Sequence, residues 1–335
     1  MKAGHIMSTS RIAGRRRFIK CTAALSLAGV LPFAQAQDPV KGPVRIIVAF
    51  AAGGAADVVV RRVSTRLGAL LGTTVVVENR PGANGNIAAD HVAKSRPDGL
   101  TLLSGFPGLT SNPSLYKTMS YEPLKDLVPV KMLAVAPVLL VAHPGFKAQS
   151  VSELIAMAKA NPNGIRYGSA GQGSSGHLAG ELFKMVTGVQ MQHVPYRGGA
   201  LALNDAMGGQ IDIVFDSIPG SRMLVEAKKL KAFAIAGDQR SEVFPNVPTF
   251  KEAGQPDYYA NTWFGLLVPQ GTPADARARL ATAITQMLDE PEIRGSLEQI
   301  GLVADNRSSE QFLQFMQNET AKWARVVKTA NIQID

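Results

Sequence analysis

The chain has 335 residues and a formal net charge of +9, from 35 basic and 26 acidic residues. Six of the basic residues and none of the acidic ones lie in positions 1–36, so the remainder carries 29 basic against 26 acidic residues, or +3. The basic balance therefore gives no argument for a nucleic-acid partner. The single cysteine is Cys21, so neither disulfides nor thiolate chemistry are expected beyond residue 36.

Residues 1–36 have the pattern of an export signal. A twin-arginine motif, Arg15-Arg16-Arg17-Phe18-Ile19-Lys20, precedes an apolar run from Ala23 to Phe33 and a small-x-small cleavage site at Ala34-Gln35-Ala36. The pattern predicts a periplasmic protein that begins at Gln37 after processing, with Met1 or Met7 as the start; the alternative is a basic disordered tail. No later stretch resembles a transmembrane helix, so a soluble mature protein is expected.

A glycine-rich loop between a strand and a helix is the first functional signal. Residues 43–50 are strand-like, residues 51–57 carry no bulky side chain, and apolar residues then repeat at helical spacing from Val59 to Leu70, with Gly72 as a cap. Free backbone N–H groups at the start of such a helix attract an anion. The alternative is a tight β-to-α turn that binds nothing.

Strand-like and helix-like segments alternate from Thr73 to Ser104, which predicts an α/β fold with largely parallel sheets flanked by helices. Ligands bind such sheets beyond the carboxyl ends of the strands. The first glycine loop, Asn84 and the Ser104-Gly105-Phe106 segment are therefore expected to gather at one edge.

Two apolar stretches, residues 128–141 and 263–269, are interpreted as crossings between two domains. The predicted domains are residues 37–141 together with 263–335, and residues 142–262. A last helix from about Ser308 carries an apolar stripe that includes Phe312 and Trp323, and we expect it to be core.

The second glycine loop, residues 169–176, follows a predicted strand at 165–168. Gly171, Gly173 and Gly176 match the dinucleotide fingerprint, but no acidic residue lies about 20 positions further on to hold a ribose. A hydrolase elbow also fails, because His177 stands where a glycine is required. An anion cradle that uses the hydroxyls of Ser169, Ser174 and Ser175 is favoured over a cofactor or a nucleophile.

Other polar residues follow later predicted strands. Tyr196 and Arg197 are expected either to present a phenol and a guanidinium to a carboxylate or to form an exposed turn. Asp216, after a predicted strand at 211–215, would orient a ligand amine or hydroxyl or begin the next turn. The histidines have no metal-ligand spacing, so no metal site is predicted.

Short motifs along nearly the whole mature length resemble the Bug-type receptors, the extracytoplasmic substrate-binding family of tripartite tricarboxylate transporters. The matching stretches are Arg45–Phe50 with Gly53-Gly54 and Asp57, Val77–Gly85, Pro97-Asp98-Gly99, Tyr167–Ser174, His193–Gly199 and Val247-Pro248-Thr249. The resemblance implies a two-domain periplasmic-binding-protein fold of type II, the Venus flytrap, and small carboxylates held between its domains by backbone amides, hydroxyls and water. One departure is Ala51-Ala52, where the family usually carries proline or glycine.

We therefore expect a periplasmic receptor that binds a small organic carboxylate without transforming it and delivers it to a membrane transporter. No cofactor, catalytic residue or nucleic-acid partner is expected, and a monomer is the default. The expected ligand-binding residues are Phe50, Ala52, Gly53, Gly54, Asp57, Asn84, Ser104, Phe106, Ser169, Gly171, Gln172, Gly173, Ser174, Tyr196, Arg197, Gly198 and Asp216.

Two other functions stay open. One is a ligand-sensing subunit of a signalling partner. The other is a periplasmic hydrolase that uses Ser174 or Ser175 with His177, although neighbours on a helix start have poor geometry for a base and its nucleophile. The identity of the anion is not specified by the sequence.

Overall fold

The computed structural model describes residues 42–334, and the predicted export signal lies outside them. All the described residues belong to one unit, Val40–Asp335. The strands are β1 Val44–Val48, β2 Val75–Asn79, β3 Thr101–Gly105, β4 Leu127–Ala142, β5 Arg166–Ser169, β6 Gln192–Pro195, β7 Ile213–Ser217, β8 Lys231–Ile235, β9 Asn261–Pro269 and β10 Val303–Ala304. The helices are α1 Ala55–Leu71, α2 Asn86–Ala93, α3 Gly108–Leu115, α4 Pro123–Asp126, α5 Val151–Ala160, α6 Ser175–Thr187, α7 Gly199–Met207, α8 Ile218–Glu226, α9 Ala274–Asp289, α10 Pro291–Glu298 and α11 Ser309–Thr329.

The strands form one curled sheet in the order β2-β1-β3-β9-β4-β7-β5-β6, with β10 and β8 also paired to β4. Strand β4 joins its two halves. Residues up to Pro137 pair with β9 and β10, whereas Val138–Ala142 pair with β7 and β8. We call the sheet on the β9 side of this boundary the first half and the sheet on the β7 side the second half.

Each half contains three parallel strands, which are β1 to β3 in the first and β5 to β7 in the second. Strands β4 and β9 run antiparallel to their neighbours, so the parallel sets are joined through antiparallel pairs. The expected α/β fold with helices packed on the sheets is confirmed.

Helices cover both faces of each half. In the first half, α1, α9 and α10 supply one apolar cluster with the sheet, and α2, α3 and the start of α11 supply a second. In the second half, α5 and α6 pack on one face and α7 and α8 on the other. Parallel strands covered on both faces are buried and apolar, which accounts for the valine- and isoleucine-rich β1.

Helix α11 packs on both halves. Its capping box at Ser308 and Gln311 fixes the predicted start. Phe312 and Met316 lie in a core cluster of the first half, while Trp323 and Val327 lie in a core cluster of the second. One helix therefore bridges the junction that β4 and β9 also cross.

Candidate functional site

A cavity of about 220 Å³ lies where the two halves meet. Its wall takes residues from loops after β1, β2 and β3, from both glycine-bearing loops of the second half, and from the crossing strands. The lining residues are Phe50, Asn84, Pro107, Gly108, Ser111, Val138, Ala170, Gly173, Ser174, Ser175, Gly176, Gly199, Val214, Phe215, Asp216, Ser217 and Thr262. Within this lining there is one carboxylate and no lysine or arginine.

Four helices begin at the cavity wall. Gly108, Ser175 and Gly199 are the first residues of α3, α6 and α7, and Ser217 is the N-cap residue of α8. The first N–H groups of a helix have no partner inside the helix, and the helix dipole places partial positive charge there. The wall is therefore suited to an anion although its lining side chains include no cation.

The second glycine loop reaches the cavity at its end. Gly171 and Gly173 have φ of 125° and 74°, which side chains with a Cβ rarely adopt. The Oγ of Ser174 donates to the Gly171 carbonyl at 2.7 Å and accepts from the backbone of His177 at 3.4 Å, so it caps α6. Gly173 and Ser174 line the cavity, together with Ser175.

Two other predicted residues of this loop, Ser169 and Gln172, lie outside the cavity lining. Ser169 is buried at the end of β5, where its Oγ contacts His193 Nε2 at 2.7 Å and also bonds to the backbone of Gly171. Gln172 donates through Nε2 to the Gln333 carbonyl at 2.9 Å. Ser169 thus holds the backbone of the loop, and Gln172 ties the loop to the segment after α11.

Two stacked imidazoles support the loop. The rings of His177 and His193 lie 3.8 Å apart and nearly parallel, and burial lowers the pKa of each to about 4. Because His177 is neutral, its Nδ1 accepts the N–H of Gly173 at 3.0 Å. That nitrogen is thus engaged with the backbone, and its partner is neither Ser174 nor Ser175.

The first glycine loop is organised around its own carboxylate. Asp57, with a side chain only 4% exposed, accepts from the Gly53 N–H, from Arg61 Nε and from Asn79 Nδ2, each at 2.9 Å. The Arg61 hydrogen bond is the largest cause that lowers the pKa of Asp57 to about 2. The loop amide that we expected to bind a ligand is therefore held by an internal anion. Ala52, Gly53, Gly54 and Asp57 are not part of the cavity lining.

Phe50 is the part of this loop that reaches the cavity. Its ring packs edge to face on Phe106, with centroids 5.3 Å apart. Phe106 is buried and fills the space beside Gly85, where a Cβ would come within 2.3 Å of its ring. Ser104 lies within β3, and its buried Oγ has no hydrogen-bond partner in the described part of the chain.

An asparagine pair positions Asn84 at the wall. Asn84 adopts a left-handed conformation, with φ of 48°, and its Nδ2 donates to Asn112 Oδ1 at 2.8 Å. Asn112 on α3 returns a hydrogen bond to the Asn84 carbonyl at 3.1 Å. The pairing fixes the loop after β2 against the middle of α3.

The Tyr196-Arg197-Gly198 segment lies just outside the lining. The hydroxyl of Tyr196 donates to Asp205 on α7 at 2.7 Å, and burial is the largest cause that raises its pKa to about 12. Arg197 is exposed and makes no hydrogen bond or ion pair within residues 42–334. Gly198, with φ of 128°, turns the chain into Gly199, which does line the cavity.

Asp216 is half-buried at the cavity wall. It lies inside β7, which extends to Ser217, and so does not occupy the loop after the strand. Its Oδ2 accepts from Ser221 Oγ at 2.8 Å, and the Ser217 N–H also contacts the carboxylate. Removal from water raises the pKa of Asp216 and outweighs both hydrogen bonds.

The sequence interpretation missed several lining residues. Pro107, the N-cap residue of α3, and Gly108 and Ser111 within α3 follow shortly after β3, and the rule that ligands lie beyond strand ends could have indicated them. Val138 and Thr262 come from the crossing strands, and only the sheet pairing brings them together.

Within residues 42–334 no group of three or more His, Cys, Asp or Glu side chains is placed to hold a metal ion. In the same range no helix is both long and apolar enough to cross a membrane.

Two α/β halves of one sheet joined by crossing strands, with an anion-suited cavity at the junction, are the architecture of the periplasmic-binding class of proteins. The profile of the tripartite tricarboxylate transporter family receptor matches residues 59–332, and the chain belongs to this family. The expected resemblance to Bug-type receptors is confirmed.

Relatives and solved structures agree with this family. The chain is 34% identical to protein BugT of Bordetella pertussis over 92% of this chain and 96% of that one. An R. palustris protein, Rpa4515, solved with adipate, has a TM-score of 0.79 at 35% identity and covers 89% of this chain and 100% of its own. MatC from Rhodopseudomonas palustris with bound malate has a TM-score of 0.75 at 33% identity, with coverages of 87% and 100%.

Proposed function

We propose that this protein is a periplasmic receptor that binds a small dicarboxylate in the cavity between its halves and delivers it to a tripartite tricarboxylate-type transporter. The observation that carries the proposal is the convergence of four helix N-termini on one cavity with no lysine or arginine in its lining. Backbone amides and hydroxyls would meet the carboxylates. Adipate and malate, present in two related structures, set the expected ligand class.

Capture would follow closure of two lobes about β4 and β9. The proposed lobes are residues 37–141 with 263–335, and residues 142–262, with α11 packed on both. A ligand between them contacts both only when they are close, and this differential affinity shifts the population toward the closed form. Phe50, Asn84, Gly173, Ser174 and Asp216 are the expected residues that already line the cavity. The remaining expected residues would act by positioning the loops or would join the site on closure.

Binding is tested by calorimetry and thermal shift on the chain from Gln37 onward, with adipate, malate and a tricarboxylate. A ligand at a hundred times its dissociation constant adds about 2.7 kcal/mol to the free energy of unfolding. Gly199→Leu should abolish the shift, because a Cβ there meets only Asp216 at 3.7 Å and the longer side chain enters the cavity. Gly208→Leu, after the other end of α7, is the matched control.

The absence of turnover is part of this proposal. The membership of a receptor family and the engagement of His177 Nδ1 by Gly173 support it against the hydrolase. Ligand recovered unchanged by mass spectrometry after prolonged incubation is the expected result. Consumption of the ligand that is lost in Ser175→Ala would contradict it.

Export and delivery are proposed with the same receptor. Mass spectrometry of periplasmic protein should give a mature form that begins at Gln37, and replacing Arg15 and Arg16 by lysine should block export if the twin-arginine pattern is used. Ligand-dependent capture of transporter membrane subunits is expected. Capture of a signalling protein instead would favour the sensor.

A further inference from the structure

Asp216 is the one acidic side chain in the described cavity lining. The nearest cationic side chains along the sequence do not offset its negative charge. Arg197 is exposed before α7, and Arg222 on α8 is engaged with Glu226 and with the Gln299 carbonyl. A carboxylate ligand would thus enter a cavity that already holds a carboxyl group and whose described lining has no cationic side chain.

The two oxygens of the Asp216 carboxyl group differ in their side-chain partners. Oδ2 accepts from Ser221 Oγ, and both oxygens lie close to Gly220, where a Cβ would come within 2.3 Å of Oδ2 and 3.1 Å of Oδ1. Oδ1 is the nearest atom to the Cβ position of Gly199, at 3.7 Å, and Gly199 lines the cavity. Because no side chain of residues 42–334 donates to Oδ1, we expect a ligand to contact this oxygen.

No titratable side chain on the packed elements contacts Asp216 within residues 42–334. On β4 its register partner is Leu139, and on β5 the residues beside β7 are Tyr167 and Gly168. The titratable groups of the packed elements have other partners: Tyr167 and Lys184 both bond to Glu181, His177 bonds to Gly173, Asp205 to Tyr196, Arg166 Nε to Asp212, and Arg222 to Glu226.

Two ionised carboxylates in one cavity repel each other, and such pairs share a proton. The N-terminus of α8 favours an anion at Asp216, but burial raises the pKa of this group despite the hydrogen bonds from Ser221 and Ser217. A ligand that removes further water would add both desolvation and like charge. Both effects favour the neutral carboxyl in the complex.

We propose that Asp216 takes up one proton from solvent when a dicarboxylate binds, and that its neutral carboxyl donates from Oδ1 to a ligand carboxylate oxygen. This inference rests on the proposed carboxylate-binding function. It explains how a dianion is held without a lysine or arginine in the lining. It also differs from an ionised Asp216 that accepts from a ligand hydroxyl or amine, which would favour malate over adipate.

The test is calorimetry with adipate, which has no hydroxyl, in buffers of different ionisation enthalpy at one pH. The dependence of the heat on the buffer gives the number of protons taken up, which should approach one. Between the pKa of Asp216 in the free protein and its higher pKa in the complex, the dissociation constant should rise about tenfold per pH unit. Asp216→Asn, whose Nδ2 can donate in place of the carboxyl, should bind adipate with no proton uptake and a pH-independent affinity. Asp257→Asn, at an exposed site, should behave as the parent protein.

Three results would overturn the inference, with folding checked by circular dichroism. Zero proton uptake with tight adipate binding, at a pH above the pKa of Asp216 in the free protein, would show that Asp216 keeps its charge, and the receptor function would stand. Loss of adipate binding in folded Asp216→Asn would show that the donor alone is insufficient. Failure of the parent protein to bind any dicarboxylate would refute the proposed function and this inference together.

Discussion

Replacement of Asp57 by asparagine measures how much the internal anion of the first glycine loop stabilises the protein. The pKa of Asp57 is lowered from 3.8 to about 2, and each pKa unit corresponds to about 1.4 kcal/mol. Because the folded-state value is the lower one, the stabilisation is present above pH 3.8 and lost as the pH falls through about 2. Asp57→Asn should therefore lower the free energy of unfolding by about 2 kcal/mol at neutral pH.

Urea denaturation monitored by circular dichroism tests this value. At a pH of about 3 roughly half of the stabilisation should remain, so the loss in Asp57→Asn should shrink to about 1 kcal/mol. Asp257→Asn, which removes an exposed carboxylate without a hydrogen bond in the described chain, should change stability by less than about 0.5 kcal/mol. If Asp57→Asn lost the same free energy of unfolding at both pH values, or no more than Asp257→Asn, the conclusion that the ionised Asp57 stabilises the loop would be refuted.

Three further results are expected from the second half. Tyr167→Phe removes a 2.5 Å hydrogen bond to buried Glu181 and should cost about 2 kcal/mol in urea denaturation; unchanged stability would contradict the pairing. Burial lowers the pKa of His177 and His193 from 6.5 to about 4. As the pH is lowered, the unfolded chain therefore binds protons before the folded protein does, and the urea concentration at the denaturation midpoint should decrease from pH 6.5 to pH 4. A denaturation midpoint that does not change over this pH range would contradict the neutral state of the two histidines. Gly173→Ala, with φ of 74° and a Cβ 2.5 Å from Ile334, should lower Tm and weaken adipate binding, and an unchanged affinity would exclude a role for this loop.

The sequence predicted those elements whose signals are local. The strand, bare loop and helix from β1 to α1, including its end at Gly72, follow from residue types within thirty positions. The same holds for the start of α11, where Ser308 and Gln311 form the cap. Residues 128–141, which we interpreted as a crossing between domains, lie in β4, and this strand pairs in both halves of the sheet.

The sequence did not predict β6 and α3, because their residues lack the pattern usual for a strand and for a helix. Strand β6, Gln192–Pro195, is short and polar and contains a proline, which a strand tolerates because it lies at the edge of the sheet. Helix α3 contains Gly108, Asn112 and Pro113, all poor helix formers, and packing against α11 overrides that propensity.

The direction of the site side chains was the least predictable feature. Asp57 looked available to a ligand, yet it is held by Arg61 one helical turn later and by Asn79 from β2. The first partner follows helical spacing, while the second depends on strand pairing between β1 and β2. Asp216 lines the cavity, but only the structure shows that its described surroundings hold no balancing cation.

The bridging position of α11 has a spectroscopic consequence. Both tryptophans of the chain report on this helix: the ring of Trp263 packs on Phe312 and Phe315, and Trp323 donates to Glu319 beneath the Lys322 ammonium, 4.3 Å from its ring. Charges so close to an indole shift its emission when they move. A ligand that rotates one half against the other should thus change the intrinsic fluorescence without any attached dye, whereas a ligand that only orders a surface loop should leave the spectrum unaltered.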